Sequence, residues 1–246
     1  MINQVTIGDC RDVMWNIPDN SVDMILCDLP YGTTRSHWDI IIPFDQLWPH
    51  YKRIVKENGA IVLFGMEPFS SRLRLSNLDD YKYDWIWEKG NAKGHLNAKK
   101  QPMRAHETIS VFYEAQCVYN PQMTRGHERK VSNKIASRYS TEVYGEMKSD
   151  TKYDSTERYP RSVLKFSADT QRRSFHSNQK PVALLEYLIR TYSNEGGLIL
   201  DNCSGSGSTG IASMNTNRDF ILIEKDEQKA MDSIKWINSN KILFHP

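Results

Sequence analysis

The stretch Leu198-Ile199-Leu200-Asp201-Asn202-Cys203-Ser204-Gly205-Ser206-Gly207-Ser208-Thr209-Gly210 restricts the folds open to this chain more than any other. Three apolar β-formers end in an acid, a loop of small residues turns the chain, and Ile211-Ala212-Ser213-Met214 can begin a helix. This is the pattern of strand, loop and helix N-terminus. Without bulky side chains, the loop lets a ligand lie against backbone. The same grammar recurs near the start, where an apolar run over 22–27 ends in Asp28-Leu29-Pro30-Tyr31-Gly32. In a parallel α/β sheet the C-terminal ends of the strands share one edge, so Asp9, Asp28, Asp201 and Glu224 are expected to converge on one crevice.

The remaining periods fill in an α/β chain. Val5-Thr6-Ile7 is a short strand closed by Gly8-Asp9-Cys10, and 11–17 can form a helix stopped at Pro18. Apolar residues at Phe44, Leu47, Trp48, Tyr51, Ile54 and Val55 predict a helix over 44–57, with Asn58-Gly59 as its stop. Strands are expected at 60–64, 83–87, 108–113 and 220–223. The loop between the second and third of these carries Lys89, Lys93, Lys99, Lys100 and Arg104 and is poor in acids. Pro181 suits the first turn of a helix running to Tyr192. At 246 residues the chain has room for one large domain, or for a domain with an insertion. The stretch 121–173 breaks the pattern, with twelve Lys and Arg against seven Asp and Glu, scattered tyrosines (Tyr139, Tyr144, Tyr153, Tyr159) and weak periods. Composition fits a solvated, mobile insertion and a nucleic-acid surface equally well.

Several chemistries are disfavoured. Cys10, Cys27, Cys117 and Cys203 form no Cys-x-x-Cys pair, which argues against a disulfide framework or zinc knuckle and for a reducing compartment. His37, His50, His95, His106 and His127 show no ligand spacing, so no metal is expected. No apolar run reaches the length of a membrane span, and no basic-then-apolar leader opens the chain; the expectation is a cytoplasmic protein without a membrane partner. Trp15, Trp48, Trp85 and Trp87 read as core and His106-Glu107 as structural, while Arg35, His37 and Trp38 follow the Asp28 turn closely enough for a minor role there. Gly205-x-Gly207-x-x-Gly210 followed by Glu224 also satisfies a dinucleotide fingerprint, that of an NAD-dependent oxidoreductase. Two features oppose it. A carboxylate at Asp201 favours an ammonium over a pyrophosphate, and a dinucleotide domain opens with this unit, whereas here about one helix follows Glu224.

Taken together, these motifs resemble the DNA amino-methyltransferases. Asp28-Leu29-Pro30-Tyr31 is similar to their catalytic motif and Asp201 to Gly210 to their cofactor loop, in the circularly permuted order of the β class. His176-Ser177-Asn178-Gln179-Lys180-Pro181 resembles the segment just before that loop, and Gly8-Asp9-Cys10 the acid-bearing strand end beside the cofactor adenine. The likeness covers most of the chain outside 116–172, which corresponds to the variable target-recognition region; phage-borne members are nearest in flavour.

The resemblance implies a Rossmann-like S-adenosylmethionine-dependent methyltransferase fold with a mostly parallel seven-stranded sheet. It implies a catalytic half over 1–115, a target-recognition insertion over 116–172 and a cofactor-binding half over 173–246, with a base rotated out of double-stranded DNA. By the same resemblance, Asp201 and the loop through Cys203, Ser204, Gly205, Ser206 and Gly207 hold the methionine end of the cofactor. Ser177 and Lys180 approach its carboxylate, Glu224 accepts from the ribose hydroxyls, and Asp9 accepts from the adenine amine beside Cys10, with Asp28 bordering both ligands. Asp28 and the Leu29 carbonyl accept from the target amine, Pro30 holds the turn, and Tyr31 stacks on the base.

The chain departs from the family pattern in having Leu29 for the commoner Pro, and Asn202 and Cys203 for the commoner Pro and Phe. Asp rather than Ser at position 28 favours adenine; the cytosine amine is the alternative, and a catalytically idle DNA-binding protein is a further one. Besides DNA, the family admits a homodimer and a cognate restriction endonuclease as partners.

Overall fold

The structure is a computed structural model. It describes residues 1–34, 36, 38–141, 145–167 and 179–244, without the side chains of 134–151 and 241–244. Two compact units are present, one formed by Met1–Asn120 with Ser162–Pro246, the other by Pro121–Arg161.

In chain order the strands are β1 (Gln4–Ile7), β2 (Val22–Cys27), β3 (Val55–Gly65), β4 (Tyr81–Lys93), β5 (Arg104–Phe112), β6 (Lys130–Thr141), β7 (Gly145–Ser155), β8 (Val163–Phe166), β9 (Leu198–Asp201) and β10 (Asp219–Glu224). The α-helices are α1 (Cys10–Val13), α2 (Phe44–Ile54), α3 (Phe69–Leu75), α4 (Val182–Tyr192), α5 (Ser208–Asn215) and α6 (Glu227–Phe244). The first unit is built on a sheet of order β1-β10-β9-β2-β3-β5-β4-β8. Its first five strands are mutually parallel, β5 runs antiparallel to β3 and to β4, and β8 lies parallel to β4. The α/β class and the largely parallel sheet are as expected. β8 is an eighth strand beyond the seven: four residues on the edge, burying Leu164, too short to show a period.

Successive strand residues face opposite layers. In β2, Ile25 and Cys27 join one core with Ile61 and Leu63 of β3, Leu200 of β9 and Ile221 and Ile223 of β10, under Met14, Leu47, Tyr51 and Phe69. Met24, Leu26, Val62 and Phe64 point the other way, against Leu184, Leu188 and Tyr192 of α4. Both faces are covered, so these strands read as continuous apolar runs rather than alternations. Each fully buried Leu or Ile contributes roughly 1.5–3 kcal/mol.

α2 stops at Ile54, three residues before the expected end, because the chain is already pairing. The backbone N–H groups of Asn20 and Ser21 take the Arg53 and Ile54 carbonyls at 3.0 and 2.9 Å, and Val55 opens β3 beside Val22. α3 was not expected; its inward side rests on Phe69, Ser70 and Leu73 within a single two-turn helix.

β9 hands the chain through α5 to β10 on one side, while the adjacent β2 hands it through α2 to β3 on the other. The direction of winding reverses between β9 and β2. Ligands of open α/β sheets bind outside the strand ends at such a point, and here the two strands end at Asp201 and Asp28.

In the second unit β6 and β7 form an antiparallel hairpin, register Lys130↔Ser155 to Thr141↔Gly145. At its base Arg129 grips Asp154 through two bonds of 2.8 and 2.7 Å, and beyond the strands Arg125 meets Glu157 at 2.9 Å. The weak periods over 121–173 thus coexist with a paired hairpin over 130–155. Its ladder is made of backbone groups and leaves no apolar alternation to read.

Candidate active site

β2 delivers Asp28 at the crevice, and the turn after it is held from behind. Gly32, Thr33 and Thr34 donate their backbone N–H groups to the Asp39 carboxylate at 2.8, 2.9 and 2.6 Å. Asp39 is buried, and although burial works to raise its pKa, the Thr34 hydroxyl and these amides hold it below the usual carboxylate value. Leu29 is buried in the core beneath. Tyr31 donates its hydroxyl to Asp28 Oδ1 at 2.6 Å and packs on Phe69 with ring centroids 4.9 Å apart. Burial, then the Asp28 charge, pushes the Tyr31 phenol well above its ordinary value, so it stays a donor.

Lys180, at the entry to α4, is placed by the fold against Asp28, its Nζ 2.5 Å from Oδ2. The same ammonium stands 3.2 Å from Glu107 Oε2, and Lys89 of β4 pairs with Glu107 Oε1. Glu107, read from sequence as structural, lies buried inside β5 between the two lysines. Burial opposes both charges, but Lys180 and Lys89 keep the Glu107 carboxyl ionised, and Asp28 and Glu107 keep Lys180 protonated.

Across the switch point, Asp201 is buried and accepts from the Thr209 hydroxyl at 2.6 Å and the Cys203 amide at 3.1 Å. Burial dominates, and the nearby Asp28 charge adds to it; the Asp201 carboxyl is pushed up to about 6. The loop beyond is pinned by Tyr51, which donates to Asn202 Oδ1 at 2.6 Å. Asn202 thus serves as an anchor of this loop. Gly205 lies at φ +49°, and a Cβ there would meet nothing within 4 Å, so it lines an open cradle. Gly207, at φ +80°, has the opposite reason: a Cβ would fall 2.1 Å from Ser233 Oγ on α6. Ser206 is buried, and so is Ser204, whose Oγ has no hydrogen-bond partner among the described residues.

The adjoining strands supply the other expected acids. Glu224 accepts from the Gly205 amide at 2.7 Å and the Asp226 amide at 2.8 Å, binding the loop to β10. Asp9 caps α1, grips Arg11 through bonds of 2.9 and 2.8 Å and meets Lys225 at 3.0 Å, and these hydrogen bonds hold its carboxyl far below the usual range. Three cysteines distant in sequence gather beneath the loop. The Cys203 thiol and burial push Cys10 far up, and burial pushes Cys27 up to about 12, so all three stay neutral packing groups. Ser177, with His176 and Asn178, and also Arg35 and His37, lie outside the described residues. Trp38 carries Lys229 over its ring at 4.2 Å.

Sequence reading missed Asp39, Tyr51, Lys89 and Glu107 as parts of the site, while Thr209 lay in the expected cofactor loop without a role of its own. Of the four, Lys89 alone had a signal, as one cation of a basic loop.

A sequence profile of the DNA methylase family matches residues 22–235. The chain is 27% identical to the type II methyltransferase M.HinfI of Haemophilus influenzae, over 94% of this chain and 67% of that one. It is 25% identical to the type II methyltransferase M2.MboI of Moraxella bovis, over 89% and 81%. Among solved structures, the M1.HpyAVI–SAM complex superposes with a TM-score of 0.63 at 23% identity, covering 95% of this chain and 98% of that one. The cytosine-N4-specific PvuII DNA methyltransferase superposes with 0.66 at 16% identity, covering 98% and 93%. Both structural likenesses concern the fold.

Proposed function

The chain belongs to the DNA methylase family, and we propose that it transfers a methyl group from S-adenosylmethionine to the exocyclic N6 amine of adenine in double-stranded DNA. The observation that carries this reading is that the adjacent parallel strands β2 and β9 lead to Asp28 and Asp201 at their C-terminal ends across the switch point.

The residues around Asp201 fit the cofactor. A buried carboxylate suits its ammonium, the Ser204 hydroxyl, without a hydrogen-bond partner among the described residues, suits a polar group, and the cradle at Gly205 leaves space. In this reading Asp201, Cys203, Ser204, Gly205, Ser206 and Gly207 hold the methionine end, Glu224 and Asp9 the nucleoside with Cys10 beside it, and Ser177 and Lys180 the carboxylate side. Bound there, S-adenosylmethionine supplies an electrophilic methyl group on a sulfonium.

The chain's own task is to make a poor nucleophile attack. An aromatic amine has its lone pair delocalised into the ring. Asp28 and the Leu29 carbonyl accept hydrogen bonds from its two protons, draw the nitrogen towards tetrahedral geometry and expose the lone pair. Pro30 keeps the two acceptors in place, and Tyr31 offers its ring to the base. As the nitrogen–methyl bond forms, the sulfur–methyl bond breaks; the amine, now strongly acidic, releases its proton to Asp28 or water. Orientation of this kind can supply an effective molarity of about 10⁵ M.

The substrate side is supported by charge. Gly65, ending β3, pairs with Thr108 in the middle of the antiparallel β5, whose start at Arg104 lies further out, so the β4–β5 loop leaves the sheet on the same edge as Asp28. Exposed Lys93, Lys99, Lys100 and Arg104 on and beside that loop suit DNA phosphates. We assign 116–172 to target recognition, between a catalytic half over 1–115 and a cofactor half over 173–246. No helix of the described residues is long and apolar enough to cross a membrane, in keeping with work on DNA in the cytoplasm. A homodimer and a cognate endonuclease accompany this reading as further proposals.

The test is transfer of labelled methyl from S-adenosylmethionine to duplex DNA, followed by nucleoside analysis. N6-methyladenine is expected. N4-methylcytosine would move the target to the cytosine amine, and no label on any DNA would overturn the reading.

A further inference from the structure

Both oxygens of the Asp28 carboxylate are engaged, Oδ1 by the Tyr31 hydroxyl at 2.6 Å and Oδ2 by the Lys180 ammonium at 2.5 Å. A target amine that is to donate to Asp28 therefore meets an acceptor already satisfied. Lys180 also stands over the Tyr31 ring, 5.9 Å from its centroid, where the base would stack. One of the two donors has to give way.

The surroundings single out Lys180. Its side chain is 11% exposed, and Phe64 walls it in with the ring centroid 5.1 Å from Nζ. Moved away without a partner, it would be a buried uncompensated charge. A partner stands ready: Glu107 Oε2 is buried and already ion-paired with the same ammonium at 3.2 Å, a longer contact than the 2.5 Å to Asp28. Lys89 occupies the other Glu107 oxygen and fixes the carboxylate in place. A bystander acid would be expected to have both oxygens bonded. Glu107 instead has its second oxygen only in the longer ion pair with the ammonium that covers the reactive acid.

Resting on the reading of this chain as a DNA amino-methyltransferase, we propose that Glu107 is a positioning residue that takes Lys180 over from Asp28 when the target amine arrives. The handover moves one ammonium between two carboxylates with no change of covalent bond or protonation. It leaves Asp28 Oδ2 open to the amine and keeps Lys180 paired throughout.

The handover makes Glu107 matter only while Lys180 is present, and only for a base that carries the amine. The test compares wild type, Glu107→Gln, Lys180→Met and the double variant on duplexes with the methylated base intact or replaced by its amine-free analogue, purine for adenine or 2-pyrimidinone for cytosine. Affinity for each duplex, affinity for S-adenosylmethionine and the single-turnover rate are measured. Glu107→Gln is expected to slow methyl transfer about 100-fold, the scale of a small misplacement of reacting groups. It is also expected to lose the preference for the amine-bearing duplex while cofactor affinity stays within about twofold. Adding Lys180→Met to Glu107→Gln is expected to restore the preference. Wild-type rate and preference in Glu107→Gln would overturn the proposal, and so would parallel losses of rate and cofactor affinity with the preference intact. If Glu107→Gln does not fold, Lys180→Met and the double variant decide: equal preference supports the handover, and a further loss in the double variant overturns it. A wild-type protein that methylates no DNA is a separate failure, that of the functional reading itself.

Discussion

The same chemistry, a lysine or arginine facing a carboxylate, is used in opposite ways at the crevice and in the hairpin. At the crevice the side chains of Lys89 and Glu107 are 11% and 7% exposed; beside the hairpin, in the second unit, those of Arg125 and Glu157 are 84% and 39% exposed. Water cannot replace a partner in the first pair, so each charge fixes the other's position and losing one leaves its mate undercompensated. In the second pair water can replace either partner, and a phosphate the carboxylate, at little cost. Buried pairs suit a site that must hold reacting atoms in place. Exposed pairs suit a surface that must change partners.

The largest expected effect breaks the contrast at its centre. Asp28→Ala removes one of the two acceptors for the target amine, and kcat should fall about 10³-fold, the scale of losing a preorganised polar contact to a reacting group, with cofactor affinity retained in calorimetry. Full turnover in that variant would make the crevice carboxylate dispensable. Next comes Lys89→Met, which leaves Glu107 to Lys180 alone. Thermal or urea unfolding should show a loss of up to about 3 kcal/mol, and an unchanged midpoint would put this pair in the surface class.

A smaller effect follows from Asp201, whose carboxyl burial raises from 3.8 to about 6. Below that value the folded chain carries it protonated, and the cofactor ammonium loses its counter-charge. Cofactor affinity should therefore fall as pH drops through about 6, by up to about tenfold per pH unit. Asp201→Asn should bind more weakly and show no such slope. The sign for folding is the reverse: a raised acid costs stability as pH climbs from 3.8 to about 6, and the cost is constant above. The smallest effect is expected in the hairpin, where Arg129→Ala, breaking two bonds to Asp154, should leave the melting temperature unchanged. A clear drop would show that the hairpin depends on its ion pairs as the crevice does.

What the amino-acid order determined by itself is local. Strands β2 and β9 ending in Asp28 and Asp201, the small-residue loop and helix α4 follow from periods and turn chemistry that neighbouring residues carry, and two acid-tipped parallel strands share an edge whatever else the chain does. Pairings between distant residues were decided only by the tertiary structure. Tyr51 meets Asn202 across 151 positions, and Lys180 meets Asp28 across 152. Glu107 acquires its two lysines because β4 and β5 pair beside the entry to α4. No short window of sequence signals such meetings, since a buried charge takes its meaning from whichever opposite charge the packed layers bring within reach. The β6–β7 hairpin escaped for a related reason: backbone hydrogen bonds build it, and they are the same for every side chain.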